Sequence, residues 1–163
     1  MQGPPLFCRK LVRSTITRDK LTWQHLKLFR ARVSGKLNLK CVLSPEDAKM
    51  ARDAGCDDII VSNHGERQLD GALASIDALP AIRNAVPGMT VMLDSSVLRS
   101  TDVLRAIMLG ADFLFVGRPF LFTAATDSAA GVSHAMGLLR DEIDRDMALL
   151  GIVSPQNLRR TPD

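Results

Sequence analysis

Four short apolar runs constrain this chain more than any other feature: KLNLKCV (36–42), DDIIVS (57–62), MTVMLD (89–94) and DFLFVG (112–117), each followed by a longer segment with helical spacing. Nearly continuous apolar strands joined by helices of about a dozen residues imply parallel strands, buried on both faces and linked by right-handed crossovers. Helix signals punctuate the pattern. SPEDAKMARDAG offers Ser44 as N-cap, Pro45 at the first helical position and Gly55 as the stop. SIDALPAIRNAVPG stops at Pro87 and Gly88, and its internal Pro80 predicts a kink or a late start. RSTDVLRAIMLGA places Val103, Leu104, Ile107 and Met108 on one face. A last pattern over about 129–150 repeats Val132, Met136, Leu139, Ile143, Met147 and Leu150 every three or four residues, as an amphipathic helix facing a core does. Both an open doubly wound sheet and a (β/α) barrel satisfy this alternation.

The chain has 163 residues, enough for one core but short of the roughly 250 of a closed eight-unit barrel. Residues 1–40 carry ten Lys or Arg against Asp19 alone, so the net charge of +3 is concentrated in the first quarter. Residues 1–20 read as a basic N-terminal extension and 21–163 as the folded domain. A solvated basic face is the ordinary meaning of such a run; a binding module for nucleic acid or an anionic surface is the alternative. No nucleic acid is expected as a partner, because no aromatic platform or known motif accompanies the charge. The start MQGPPLFCRKLVR lacks a secretory apolar core, though its acid-poor composition also fits a transit peptide. The most apolar stretch, FLFVGRPFLFTAA, is broken by Arg118 and Pro119, so no membrane span is expected. Cys8, Cys41 and Cys56 are odd in number and lack C-x-x-C spacing, which argues against a disulfide framework or a metal site and suits a reducing cytoplasm.

The polar residues collect where the strands end. Lys40, Ser62 with Asn63 and His64, Asp94, and Arg118 close four successive runs, at the end where barrels and open α/β sheets both bind ligands. His64 and Arg67 put a base and a planar fork for a carboxylate on one loop. A lone His and Arg on a loop are more often surface decoration, and Lys40 could simply reach solvent. The run VGRPF at 116–120 combines Gly117, Arg118 and a helix start at Pro119, a combination suited to a phosphate.

The segments LKCVLSPEDAKMARDAGCDDIIVSNHGERQLDG, LDSSVLRSTDVLRAIMLGADFLFVGRPF and GVSHAMGLLRDEIDRDMALLG resemble the FMN-dependent α-hydroxy acid dehydrogenase and oxidase family, which includes L-lactate dehydrogenase, lactate oxidase, glycolate oxidase and mandelate dehydrogenase. The resemblance runs from about Leu21 to Asn157, and its S-N-H-G-x-R-Q-L-D motif is highly specific. It implies a TIM-type (β/α) barrel carrying FMN at the carboxyl ends of the strands, of which this chain holds about four β/α units, half a barrel. It implies oxidation of a small 2-hydroxy acid to the 2-oxo acid. His64 would take the hydroxyl proton as hydride passes to the flavin, and Arg67 would grip the substrate carboxylate. Lys40 and Ser62 would contact the flavin ring, Asp94, Ser95 and Ser96 would stand on the ribityl and phosphate loop, and Gly117 with Arg118 would complete the phosphate site.

The sequence departs from the family pattern in two ways. Four units leave two sheet edges open, so self-association, or docking of a separate N-terminal half-barrel, is expected. The family's K-G, S-N-H-G-[GA]-R-Q and D-x-G-V-R-R-G become Lys40-Cys41, Gly65-Glu66-Arg67 and DSSVLRS. Ser96, Ser100 and Cys41 replace glycines, Leu98 removes a guanidinium, and Glu66 is placed to pair with Arg67. Impaired flavin chemistry and a non-catalytic half-barrel therefore both follow as readings of the isolated chain.

Overall fold

The computed structural model describes residues 21–158, so the basic extension lies outside the described residues. Helix α1 (Trp23–Arg32) leads into strand β1 (Asn38–Val42), followed by α2 (Pro45–Asp53), β2 (Asp58–Val61), a 3-10 turn at His64–Glu66, and α3 (Ser75–Ala85). Then come β3 (Thr90–Leu93), α4 (Ser100–Met108), β4 (Phe113–Leu114), the long helical run α5 (Arg118–Leu149) and a closing 3-10 turn at Pro155–Leu158.

All strands pair in parallel, in the order β1-β2-β3-β4. This order decides between the two architectures. A doubly wound sheet reverses its strand order at a switch point, whereas right-handed crossovers in unbroken sequence put every helix on one face, the arrangement of a barrel wall. Ile59, Val61, Val91 and Leu93 share one buried cluster with Ala48 and Ala51 of α2 and with Ala78, Leu79 and Ile82 of α3. Fully burying Ile59, Leu79 or Ile82 is worth roughly 1.5–3 kcal/mol each, which makes this helix-side layer the mechanical base of the sheet. The opposite face carries the alternate positions, in the register Lys40–Ile60–Met92–Phe113. There the Phe113 and Phe115 rings meet edge to face at 5.2 Å and remain exposed.

Two matching locks brace the amino ends of the strands. Asp57 accepts from the Leu37 amide at 2.7 Å and from Arg30 at 2.8 Å, and Asp112 accepts from the Val91 amide at 2.9 Å and from Arg83 at 2.8 Å. Each arginine ends the preceding helix and lies against a left-handed glycine, Gly55 at φ 88 and Gly110 at φ 106. A carboxylate thus ties β1 to α1 and, two units later, β3 to α3. The amide of Leu37 with the Arg30 guanidinium outweighs burial and holds the Asp57 carboxyl below its usual range.

Several expectations need correction. Helix α3 begins at Ser75 and runs through Pro80, because Ala78, Leu79 and Ile82 are all buried on one side and packing outweighs one missing amide donor. The fourth strand is only two residues long. On the expected apolar faces, Leu104 is buried but Met108 is exposed. In α5, Val132, Leu139, Ile143 and Met147 are half-buried while Met136 and Leu150 are exposed. Four β/α units supply no neighbour for that outer strip. The α5 run is also broken at Asp127 and Ser128, where φ reaches 48 at Ser128, so the pattern over 129–150 is a separate segment.

Candidate functional site

Lys40, His64, Gly65, Arg67, Asp94, Ser95, Ser96, Gly117 and Arg118 line one cleft of about 440 Å³ at the carboxyl ends of the strands. A larger open hollow of about 530 Å³ lies at the opposite end, around Arg83, Gly110 and Asp112, and holds no such cluster. Barrel chemistry sits at the carboxyl face, so the first cleft is the candidate site.

Its centre is a polar relay. Lys40 Nζ donates to Ser62 Oγ at 2.9 Å and pairs with Asp94 Oδ2 at 2.6 Å. Ser95 Oγ donates to Asp94 Oδ1 at 2.8 Å and accepts from the Gly65 amide at 3.0 Å, which joins the Asp94 loop to the His64 loop. Ser62 is fully buried and accepts from the His64 amide at 3.1 Å. Asn63 Oδ1 accepts from the Gly65 amide, and the Asn63 amide donates to Ser75 Oγ at the start of α3. Burial would push the Asp94 carboxyl up, but hydrogen bonds from Lys40, Ser62 and Ser95, with the lysine charge, outweigh it and hold the carboxyl below its usual range.

Ser62, Lys40 and Asp94 thus meet directly. Arg118 joins the edge of the group: Nη2 donates to Ser96 Oγ at 3.4 Å, and the guanidinium lies over Gly65. Arg67 lines the cleft, and among the described residues it has no hydrogen bond or ion pair. The expected Glu66–Arg67 pair does not form, since Glu66 at φ 61 sits on left-handed backbone. Of the substituted glycine positions, Cys41 (φ 67) and Ser96 (φ 62) occupy left-handed backbone, as does Ser95 (φ 77). Ser100 does not: it opens α4, is buried, donates its hydroxyl to Asp146, and its amide donates to Glu142 at 3.2 Å. Leu98 is exposed where the family pattern has arginine, while Arg99 is drawn away to Glu142 at 2.6 Å.

Three participants were not singled out from the sequence: Ser75 pins the His64 loop from twelve residues away, and Phe115 with Leu121 supplies the apolar wall. No local signal marked any of them. Ser95, expected on the ribityl and phosphate loop, is in addition the joint of the relay.

The donor set suits a flavin mononucleotide. Lys40 supplies a cation at one end of the cleft, Arg118 with Gly117 supplies an anion site at the other, and Phe115 with Val116 gives an apolar side. The phosphate end has one cation fewer than the family pattern provides, because Leu98 replaces arginine.

Comparison with known proteins agrees with the fold and the family resemblance. The family profile described as FMN-dependent dehydrogenase matches residues 6–162. An L-lactate oxidase of Lysinibacillus sphaericus is 46% identical over 140 residues, 85% of this chain and 36% of that protein. Glycolate oxidase 3 of Arabidopsis thaliana is 45% identical over 144 residues, 88% of this chain and 39% of that protein. A crystal structure of mandelate oxidase with benzoyl-formic acid superposes with a TM-score of 0.81 at 40% identity, covering 86% of this chain and 42% of the other. The chain therefore spans about two fifths of the length of these relatives.

Proposed function

The chain belongs to the FMN-dependent dehydrogenase family, and from that premise we propose that residues 21–163 form the carboxy-terminal half of a domain oxidising a small 2-hydroxy acid, such as L-lactate, to the 2-oxo acid. The observation that carries this reading is the convergence of Lys40, Ser62, His64, Arg67, Asp94 and Arg118 on one cleft at the strand ends. FMN, when bound, supplies the hydride acceptor. Arg67, without a partner among the described residues, binds the substrate carboxylate through its planar fork. His64 removes the hydroxyl proton; Lys40 would supply positive charge at the flavin ring, with Ser62 beside it, and Asp94, Ser95, Ser96, Gly117 and Arg118 would hold the ribityl chain and phosphate. The cytoplasm suits the free thiols of Cys41 and Cys56, and no helix among the described residues is long and apolar enough to cross a membrane.

A second reading is a non-catalytic half-barrel. The Lys40–Asp94 pair favours it, because a lysine held at 2.6 Å by a carboxylate offers less charge to a ring, and side chains at Cys41 and Ser96 fill space that glycine leaves free. Both readings share one assembly expectation. β1 and β4 are open edges, and the exposed Phe113 and Phe115 lie on the uncovered face, so a second copy or another half-barrel is the fitting partner. Flavin absorbance of the purified protein after FMN addition, turnover of lactate and glycolate, and mass in solution test these points together. Flavin retention with turnover supports the oxidase; a colourless, inactive protein leaves the half-barrel.

A further inference from the structure

Cys41 is the bulged residue of β1: the register with β2 slips between Lys40 and Val42, and the backbone there is left-handed. A bulge re-aims the side chain it carries. Here the thiol meets a second element, with Sγ 3.5 Å from Nδ1 of His64. His64 is itself on left-handed backbone at φ 60, and its amide is held by Ser62 Oγ. Both side chains are exposed: His64 lines the cleft, and Cys41 lines the neighbouring hollow with Trp23, His25 and Asp47. A sulfur within reach of an imidazole and open to solvent has the surroundings of a nucleophilic cysteine rather than a structural one. Cys56 is the contrast: it is buried, and burial together with Asp57 pushes its thiol up.

We propose that Cys41 and His64 form a thiol–imidazole pair that makes Cys41 a modification site for small soft electrophiles, such as haloacetamides and α,β-unsaturated carbonyl compounds. The thiol proton passes to Nδ1 of His64 while the sulfur lone pair forms a new S–C bond. With a haloacetamide, the halide leaves with the electrons of the carbon–halogen bond. With an unsaturated carbonyl, the electrons move to the enolate, which recovers a proton at its α-carbon. No oxidant is needed, and the reaction is independent of bound flavin. An adduct at this position would stand at the rim of the cleft beside His64.

The test is alkylation of the whole native chain by iodoacetamide at pH 7, with peptide mass spectrometry separating Cys8, Cys41 and Cys56. The reference is the same chain unfolded in urea, where every thiol is free. With His64 taking the thiol proton as the S–C bond forms, the native Cys41 rate is expected to exceed the unfolded rate about tenfold. Cys56 should react more slowly than in the unfolded chain. His64→Asn and His64→Gln, both at an exposed position, should return Cys41 to the unfolded rate with the far-UV spectrum unchanged. A native Cys41 rate equal to or below the unfolded one overturns the proposal without reference to any variant. Full Cys41 reactivity in folded His64→Asn protein overturns it too. Because nothing in the assay needs FMN or a hydroxy acid, failure of the oxidase reading would leave this result untouched.

Discussion

The double substitution Ser96→Gly with Leu98→Arg tests how far the phosphate loop determines flavin binding. Ser96 sits at φ 62, where an L side chain costs about 1–2 kcal/mol relative to right-handed backbone. Replacing it with glycine removes that strain but gives the unfolded chain more freedom, which returns about 0.4–1 kcal/mol. The hydroxyl's one contact, from Arg118 at 3.4 Å and exposed, is long and contributes little. The net expectation is a stabilisation of about 0.5 kcal/mol from Ser96→Gly alone, read as a raised midpoint in urea unfolding. Leu98 is 52% exposed, so an arginine there displaces no core packing. Hydrogen bonds to charged groups contribute about 1.5–3 kcal/mol. A restored guanidinium at the phosphate end should therefore tighten FMN binding by about ten- to a hundredfold, measured by quenching of flavin fluorescence. The gain should fall as salt rises. Unchanged FMN affinity in a folded, equally stable double variant would refute the reasoning, because the loop would then not be what limits the cofactor.

Arg83→Ala should destabilise the chain by about 1–2 kcal/mol in urea unfolding, since it strips Asp112 of its charged partner and releases the Val86 and Met89 carbonyls, whereas Arg52→Ala, at an exposed pair with its neighbour, should change stability by less than about 0.5 kcal/mol; equal effects would deny the lock at the strand bases. Gly131→Ala should cost about 1–3 kcal/mol because a Cβ there would lie 2.3 Å from the Thr123 carbonyl oxygen, and a neutral result would mean that the break at Asp127 and Ser128 closes differently. The Asp94 carboxyl is held low in the folded chain, so its contribution is complete above the unfolded value near about 3.9 and is lost as pH falls through the lower folded value. Stability should thus drop more steeply below about pH 4 in the natural chain than in Asp94→Asn, and parallel curves would show that the relay contributes nothing to folding.

What could be read from the sequence was whatever depends on near neighbours along the chain. Strand β2 and helix α2 appear where their apolar runs, Ser44 cap and Gly55 stop place them, because periodicity and capping act within a few residues. The convergence of the candidate residues was legible through a motif whose members follow strand ends, so Lys40, His64, Asp94 and Arg118 arrive at one cleft once the strands are in parallel order. The locks Arg30–Asp57 and Arg83–Asp112 join residues 27 and 29 positions apart, and no local pattern announces them. Pro80 misled for the opposite reason: a strong local signal was overruled by burial of Leu79 and Ile82. The relay through Ser95 likewise depends on a loop thirty residues away, and the left-handed turn at Glu66 removes a pairing that adjacency in sequence suggests.

The two ends of the sheet differ in how they meet the same backbone demand. At the amino ends, left-handed turns fall on Gly55 and Gly110, and each is covered by an arginine that also closes a lock, so the demand is met without strain. At the carboxyl ends, five of the six non-glycine residues with positive φ among the described residues lie in or next to the cleft-lining segments: Cys41, His64, Glu66, Ser95 and Ser96. Each such residue costs on the order of 1–3 kcal/mol and persists only where surrounding contacts over-determine it. Ser62 bonds to the His64 amide and to Lys40, and Ser95 bonds to Asp94 and the Gly65 amide; these are the contacts that do so here. The helix-side core has no such dependence, because Ile59, Val61, Val91 and Leu93 are fixed by the parallel ladder and by packing against the helices. The cleft is therefore the part of the molecule whose geometry hangs on a few hydrogen bonds, and breaking the Lys40–Asp94–Ser95 relay should loosen the site before it loosens the fold.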